Sequence, residues 1–316
     1  MPDSLAAGVP EFLRARARRI RDTATVWGIG RSTYAMGEGP MRGLLGFRQR
    51  PLHGWLRRLR FVLRRWFTNR PTGTQRIYRV DVDGRTAKRI VFPDSYEAAR
   101  VARSLRVFGP SGIVPAVLLQ RERDLWLEFV EGQPLNELDS IDEETLERLA
   151  EVFATLYSRE PRLVALDRTS FAHALFTDLE FLRDVGLLSS GVQELLAEFA
   201  ERKAPKEVWV GYDCTDAILK NFVREPSGRV RLVDAETVGV DQMIGTGVAK
   251  ASLRWLGPRR DVFVESLVRR GAPDFRGYLD WAELSFAAFW VKSSFLERKK
   301  RFIDAGVFDR FLGGNP

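Results

Sequence analysis

The pattern of apolar residues changes abruptly along this chain, and that change restricts the folds open to it. Residues 76–82 and 86–92 alternate apolar and polar side chains on either side of Asp83-Gly84, a dipeptide typical of tight hairpin turns. A second strand pair is predicted over residues 114–119 and 124–130, whereas most of the chain after it follows a helical period. The sequence therefore predicts an α+β protein with a small β-rich unit followed by a larger helical unit.

The charge of the 316-residue chain, +8 in total, is concentrated at its front. Residues 1–70 contain 15 arginines and 4 acidic residues, whereas the rest of the chain contains 35 basic and 38 acidic residues. Such a basic segment favours an anionic partner: a nucleic acid, an anionic lipid or an acidic ligand. We expect no nucleic acid, because no base-reading module accompanies the basic residues.

Residues 54–67 predict an amphipathic helix within this front segment. Tryptophan and leucine share one face and arginine surrounds it, a composition typical of helices that lie at a membrane surface. We therefore expect residues 10–67 to contact an anionic membrane surface; the alternative is a helix packed on the protein body. No apolar run reaches the length of a spanning helix, and the single cysteine cannot form an internal disulfide. The expected location is cytoplasmic, peripheral at the inner face of the cytoplasmic membrane.

The residues with most chemical information begin at Asp216. Asp216 is separated by four residues from Asn221, and Asp234 follows a short predicted hairpin. Phosphoryl transfer needs such a set: a carboxylate free of metal to accept a hydroxyl proton, and two oxygen ligands to hold a hard cation. This arrangement predicts a phosphotransferase that uses a nucleotide and Mg²⁺.

The motif resembles that of the aminoglycoside phosphotransferases and the wider protein-kinase-like superfamily, which runs His-Gly-Asp, four residues, Asn, and then Ile-Asp-Trp/Phe-Glu. The resemblance implies that Asp216 is the catalytic base and that Asn221 and Asp234 bind Mg²⁺ beside ATP. Glu236 matches the acid that often follows the second motif. Lys220, within the loop, would touch the γ-phosphate.

Upstream residues agree with this family in order and spacing. Lys88 is the only lysine among the first 202 residues and occupies the position of the family's phosphate-binding lysine, with Glu97 as its ion-pair partner. Glu128 and Val130 lie in a segment similar to the hinge, where backbone groups bind adenine. The resemblance implies a two-lobed protein-kinase-like fold. Its parts would be a basic helical extension over residues 1–70, a β-rich N-lobe over 71–132 and a helical C-lobe over 133–316.

Two departures from the family pattern leave alternatives open. Cys214-Thr215 precedes Asp216 in place of the usual His-Gly, which motivates a membrane-associated pseudokinase scaffold that does not catalyse transfer. Tyr212-Asp213-Cys214 also resembles the Arg-Asp-Cys of lipopolysaccharide core kinases and would make Asp213 the base. Residue 218 would then be isoleucine where a metal ligand is needed, so we favour Asp216.

The expected acceptor is a hydroxyl group, and the basic front segment suggests a sugar on a lipid-linked glycan. Lipopolysaccharide core of Gram-negative bacteria is such a glycan, and the preference for arginine over lysine is compatible with a bacterial source. The alternative is a soluble small-molecule kinase that acts on an aminoglycoside, a sugar or an amino alcohol.

Overall fold

The computed structural model describes residues 76–82, 85–296 and 305–313. The predicted basic extension and its amphipathic helix lie outside these residues. The chain divides into two compact units, and the first contains the described residues up to Thr145 together with Leu219–Glu236. The second contains Leu146–Ile218 and the described residues from Thr237 onward.

The first unit is built on a four-stranded antiparallel sheet in the order β1-β2-β4-β3. Its elements are β1 Arg76–Val82, β2 Arg85–Val91, α1 Ser95–Phe108, β3 Val117–Arg121 and β4 Asp124–Glu128. The hairpin predicted from Asp83-Gly84 is confirmed, because Val82 pairs with Arg85. Helix α1 begins where Asp94 accepts a hydrogen bond from the Glu97 amide, a side-chain cap on an otherwise unpaired donor.

A second sheet completes the first unit with residues from a distant part of the chain. Strand β5 Gln133–Pro134 pairs with β8 Phe222–Arg224, which pairs in turn with β9 Val230–Leu232. The expected boundary at residue 132 therefore differs from the division in the structure. Hydrogen bonds to β5 and packing on Val130 join residues 219–236 to the small unit.

The second unit combines a three-stranded sheet, in the order β10-β7-β6, with helices. Its elements are α2 Glu143–Tyr157, which starts in the first unit, β6 Arg162–Ala165, α3 Phe171–Asp184, α4 Ser190–Lys203, β7 Glu207–Cys214, β10 Val238–Met243, α5 Thr246–Ala251, α6 Arg260–Arg269, α7 Leu279–Leu296 and α8 Asp309–Leu312. Among the described residues, none of the helices is both long and apolar enough to cross a bilayer.

Aromatic rings form the centre of the second unit. Phe153 meets Tyr157 and Phe263 edge to face at centroid distances of 5.8 and 5.7 Å, and Tyr157 meets Phe275 at 5.6 Å. All four side chains are buried. Edge-to-face contacts of this kind hold neighbouring rings at defined angles, so this core fixes α2 against α6 and the segment that precedes α7.

Candidate active site

Three charged side chains meet in the interior of the first unit. The ammonium group of Lys88, on β2, lies 3.6 Å from Asp234 Oδ1 and 3.4 Å from Glu236 Oε2. It also donates a hydrogen bond of 3.1 Å to the carbonyl of Val233. The side chains of all three charged residues are at most 8% exposed. Lys88 therefore joins the central sheet to the segment that follows β9.

Burial and mutual charge shift the proton equilibria of this cluster. Burial alone would lower the pKa of Lys88, but the carboxylates of Glu236 and Asp234 hold that pKa above its usual value. Burial and the neighbouring Asp234 raise the pKa of Glu236 to about 8, against the lowering effect of Lys88. Near neutral pH the cluster therefore holds about one carboxylate charge against one on Lys88, and a second negative charge forms only when Glu236 loses its proton.

The residues present fit a hard divalent cation. Asp234 supplies a carboxylate and Asn221 an amide oxygen, the ligand types that Mg²⁺ takes in proteins. Both side chains are buried, and the backbone of Asn221 accepts a 2.8 Å hydrogen bond from the Val233 amide, directly before Asp234. Within the residues that the structure describes, no group of three or more His, Cys, Asp or Glu offers a competing metal site.

The ion pair expected between Lys88 and Glu97 is not formed among the described residues. Glu97 lies in the first turn of α1, where its amide is capped by Asp94. Lys88 instead binds Asp234 and Glu236, because two buried carboxylates attract a buried ammonium group more strongly than one half-exposed side chain. The structure thus gives Lys88 different partners from those that the sequence predicts.

Arg231, which sequence reasoning missed, connects the hinge segment to β9. Its guanidinium binds both carboxylate oxygens of Glu128, at 2.9 and 2.7 Å, and donates to the carbonyl of Val114 at 2.7 Å. It also reaches Glu225 at 3.2 Å. These bonds to Arg231 hold the pKa of Glu128 below its usual range. A paired, two-pronged contact of this kind fixes the end of β4 to Arg231, which precedes Asp234 by three residues.

The segment predicted to bind adenine contains Glu128, which pairs with Arg231, and Val130. The amide of Glu128 donates to the carbonyl of Ala116 at 2.9 Å and is therefore not the group that would meet a base. The Val130 side chain packs in a small apolar cluster with Val223 and Val233. All three side chains are buried, so this cluster packs the hinge segment against the second sheet. Base binding by Glu128 and Val130 stays a prediction.

In the second unit, the predicted base Asp216 forms an ion pair with Lys250 of α5. Lys250 is 5% exposed, whereas the side chain of Asp216 keeps 30% of its surface exposed. The carboxylate is therefore both held by a cation and accessible to a substrate hydroxyl. Sequence reasoning missed Lys250, although it is one of only eight lysines in a chain with 42 arginines.

Asp213, the rival candidate for the base, is buried and holds the backbone that follows β10. Its buried carboxylate accepts hydrogen bonds from the hydroxyl of Tyr157 at 2.9 Å and from the amides of Gly245 and Gly247 at 3.1 and 3.0 Å. Burial raises its pKa to about 7, against the lowering effect of these donors. A Cβ at residue 247 would collide with the Asp213 carboxylate, so this contact requires glycine. With no exposed surface, Asp213 cannot meet an acceptor.

The loop that carries Asp216 is braced without the family's histidine. The Thr215 hydroxyl donates to the carbonyl of Thr237 at 3.3 Å, and the Trp255 indole donates to the carbonyl of Ala217 at 2.9 Å. Cys214 is buried, which raises its pKa far above the ordinary value and excludes a reactive thiolate. Hydrogen bonds from Thr215 and Trp255 therefore hold this loop, although Cys214-Thr215 replaces the His-Gly of the family pattern.

Comparison with known proteins gives a fold and no sequence relative. No protein-family model matches the sequence, and no curated protein matches it. Solved structures do match, among them choline kinase LicA from Streptococcus pneumoniae, with a TM-score of 0.52 and 14% identity over 76% of this chain and 88% of that one. Macrolide 2'-phosphotransferase MphH from Brachybacterium faecium matches with a TM-score of 0.55 and 13% identity, over 77% of this chain and 89% of that one.

A thermostable mutant of aminoglycoside phosphotransferase APH(4)-Ia matches with a TM-score of 0.55 and 14% identity, over 78% of this chain and 94% of that one. This chain has the protein-kinase-like fold. The two-lobed architecture expected from the motifs is thereby confirmed. Another matching structure is a ternary complex of a thermostable APH(4)-Ia mutant with AMP-PNP and hygromycin B. The resemblance to lipopolysaccharide core kinases stays a prediction.

Proposed function

We propose that this protein is an ATP- and Mg²⁺-dependent phosphotransferase that phosphorylates a hydroxyl group. The observation that supports the proposal is the buried cluster of Lys88, Asp234 and Glu236, which groups one ammonium with two carboxylates in a protein-kinase-like fold. Fold likeness to kinases of choline, macrolides and aminoglycosides supports the same reaction class. A small-molecule acceptor is the version that these likenesses favour.

Each named residue has a part in the proposed reaction. Asp216 accepts the proton of the acceptor hydroxyl, the hydroxyl oxygen bonds to the γ-phosphorus, and the bond to the leaving oxygen of ADP breaks. Lys88 binds the α- and β-phosphates, and Lys220 contacts the γ-phosphate. Asn221 and Asp234 hold Mg²⁺, which supplies charge neutralisation for the phosphates when bound. Glu97 has no assigned contact with Lys88 in this scheme.

Thermal unfolding with and without Mg²⁺-ATP tests the nucleotide site. A ligand at 100 times its dissociation constant adds about 2.7 kcal/mol to the free energy of unfolding. We expect a clear rise in Tm for the natural protein and little or none for Lys88→Met and Asp234→Asn. Lys206→Met, which removes an exposed lysine, is the matched control and keeps the full rise. No rise for the natural protein at millimolar Mg²⁺-ATP would contradict the proposal.

A lipid-linked sugar at the membrane surface is the second candidate acceptor, and it rests on the composition of residues 54–67. Co-sedimentation with vesicles of anionic and of neutral lipid tests it, using the full chain and a chain without residues 1–70. Binding of only the full chain, and only to anionic vesicles, is the expected result. Equal recovery of both chains in the supernatant would contradict membrane binding through residues 1–70 and would favour the soluble small-molecule kinase.

A pseudokinase is the remaining candidate, motivated by Cys214-Thr215. Transfer of the γ-phosphate to a panel of amino alcohols, sugars and aminoglycosides separates it from an enzyme. For the enzyme we expect Asp216→Asn to abolish transfer and to leave the nucleotide-induced rise in Tm intact. Nucleotide binding with no transfer to any acceptor, unchanged in Asp216→Asn, would favour the scaffold.

A further inference from the structure

Asp213 connects the end of β7 to the start of α5. One of its carboxylate oxygens accepts hydrogen bonds from the amides of both Gly245 and Gly247, at 3.1 and 3.0 Å, and the other accepts one from the Tyr157 hydroxyl at 2.9 Å. The side chain has no exposed surface. Asp213 cannot meet a substrate, so any effect that it has on the reaction must act through the residues that it holds.

Two further contacts join the same two segments of chain. Lys250 of α5 forms an ion pair with Asp216, and the indole of Trp255 donates a 2.9 Å hydrogen bond to the carbonyl of Ala217. Trp255 lies in a single π-helical turn, Ser252–Leu256, that follows α5 directly; such turns often occur at functional sites. With the Asp213 contact, three contacts run in the same order along both segments, and the central one holds the predicted base.

Glycine at residue 247 permits this close approach. A Cβ there would collide with the carbonyl oxygen of Cys214 and would lie 2.6 Å from the Asp213 carboxylate, so the backbone would have to shift. Lys250 follows Gly247 by three residues on the same short helix. A shift of α5 away from β7 therefore also moves the ammonium group away from Asp216.

We propose that Asp213 is a positioning residue: it holds α5 so that Lys250 meets Asp216 and fixes that carboxylate toward the acceptor hydroxyl. The proposal rests on the phosphotransferase function proposed above. A general base works only within hydrogen-bond reach of the proton that it accepts, so a small displacement of Asp216 lowers the rate. The residues proposed to bind Mg²⁺-ATP belong to the first unit, so the effect should fall on kcat and not on KM for Mg²⁺-ATP.

Asp213→Ala removes every acceptor atom of this contact. We expect kcat to fall about a hundredfold, as for Lys250→Met, with KM for Mg²⁺-ATP unchanged. Asp213→Asn keeps one oxygen for the two amides, and its amide group can donate to the Tyr157 hydroxyl, so it should retain most of kcat. Asp178→Ala is the matched control with unchanged kcat, because Asp178 is also buried and pairs with a lysine, Lys292.

The rate is measured as transfer of the γ-phosphate from Mg²⁺-ATP to the amino alcohol, sugar or aminoglycoside that the natural protein phosphorylates. A double variant then separates positioning from stability. If Asp213 acts through Lys250, Asp213→Ala should change kcat by less than about twofold when Lys250→Met is already present. The same factor in both backgrounds, or unchanged kcat in Asp213→Ala alone, would overturn the proposal.

Gly247→Ala disturbs the same contact without changing Asp213, and it decides the question if Asp213→Ala does not fold. We expect a similar loss of kcat, because α5 has to move away from Cys214. Gly191→Ala is the matched control: Gly191 is also the second residue of a helix, α4, and a Cβ there meets no atom within 4 Å. Full kcat in Gly247→Ala would contradict the proposal.

The ion pair itself is observed by NMR without any reaction. Protons of a buried, paired ammonium group exchange slowly with water, and ¹⁵N labelling of the eight lysines gives a simple spectrum. The Lys250 signal, assigned by its absence in Lys250→Met, should disappear in Asp213→Ala and Gly247→Ala and persist in both control variants. The signal of buried Lys88, in the first unit, should persist throughout and shows that the variants are folded.

This spectrum separates the proposal from the function on which it rests. A Lys250 signal that persists in both Asp213→Ala and Gly247→Ala overturns the positioning role and leaves the phosphotransferase proposal intact. Absence of transfer by the natural protein to any acceptor contradicts the phosphotransferase proposal, and the spectrum then still decides whether Asp213 places Lys250 beside Asp216.

Discussion

At the scale of single residues, two lysines stand out because they are buried in a chain that otherwise uses arginine. Lys88 is 6% exposed and Lys250 is 5% exposed; Lys88 forms an ion pair with Asp234 in the first unit, and Lys250 forms one with Asp216 in the second. A buried ammonium group costs several kcal/mol unless it is paired. Such residues persist only where their partners compensate them, so we infer that both lysines belong to the candidate residues of the proposed reaction. The sequence distinguished Lys88 by its isolation, whereas Lys250 belongs to residues 203–316, which contain all the other lysines.

Lys250→Met is expected to lower kcat by about a hundredfold, because correct placement of a catalytic base contributes a factor of this order. KM for ATP should stay unchanged, since Lys250 contacts Asp216 and not the Lys88 cluster. Lys292→Met is the control: Lys292 also pairs with an aspartate, Asp178, and also lies over a ring, that of Phe181. Steady-state kinetics of both variants check the prediction. Equal loss of kcat in the two variants would show that Lys250 acts only through stability.

Tyr157→Phe is expected to destabilise the protein by about 1 kcal/mol at pH 5 and about 2 kcal/mol at pH 8, because hydrogen bonds to ionised groups are the stronger ones. The pKa of Asp213 is raised to about 7, so its carboxyl is protonated at pH 5 and ionised at pH 8 in the folded protein. Between about pH 4 and about pH 7, the folded protein therefore keeps a proton on Asp213 that the unfolded chain releases. The contribution of Asp213 to the free energy of unfolding falls as the pH rises through this range.

Urea unfolding at the two pH values measures this difference. Tyr278→Phe is the matched control, because the buried Tyr278 hydroxyl donates to the neutral carbonyl of Ile244 at 3.0 Å. Its loss should cost the same free energy at both pH values. A Tyr157→Phe cost that does not change with pH would contradict the raised pKa of Asp213.

At the scale of secondary-structure elements, short strands position several of the candidate site residues. Strand β9 has three residues, yet its middle residue Arg231 binds Glu128 while the chain that follows it carries Asp234. Strand β10 was not predicted, because Val238–Met243 contains glycine and polar residues. It forms because β7 supplies pairing partners from Val210 to Cys214. The strand predicted to start at residue 114 begins later, at Val117, since Pro115 has no amide to donate.

Arg231→Met is expected to lower the free energy of unfolding by about 2–4 kcal/mol, because the change leaves Glu128 and Glu225 without their buried cation. The double variant Arg231→Met with Glu128→Gln should recover part of this loss, since it removes one uncompensated charge. Urea unfolding of the single and double variants measures both effects. A double variant less stable than Arg231→Met would mean that the hydrogen bond from the Ala116 amide to the ionised Glu128 carboxylate outweighs the cost of its unpaired charge.

At the scale of the whole molecule, neither compact unit is a continuous stretch of chain. Leu219–Glu236 belongs to the first unit and carries Asn221, Asp234 and Glu236, although it follows 73 residues of the second unit, Leu146–Ile218. The first unit therefore depends on this segment for its second sheet and for the partners of Lys88. Motif order along the sequence suggested two successive lobes, and the chain instead returns to the first.

A fragment with residues 71–145 alone is therefore expected not to fold. It lacks β8 and β9, exposes the apolar side of Val130 and leaves Lys88 buried without Asp234 and Glu236. Joining residues 219–236 to it through a flexible linker should restore a folded state. The dispersion of amide chemical shifts in the NMR spectra of the two fragments distinguishes a folded from an unfolded chain. A folded 71–145 fragment would contradict the expectation that the first unit depends on residues 219–236.

The sequence by itself determined the fold class, most of the element order and the candidate residues for the proposed reaction. Asp216, Asn221, Asp234 and Lys88 were proposed from residue type and spacing, because phosphoryl transfer requires particular groups and local periodicity identifies helices and hairpins. Only the tertiary structure decided the partners. Lys88 pairs with Asp234 and Glu236 and not with Glu97, Asp213 is a buried acceptor of backbone amides, Lys250 pairs with Asp216, and Arg231 pairs with Glu128. Side-chain partners distant in the chain depend on burial and on packing geometry, which spacing along a sequence does not encode.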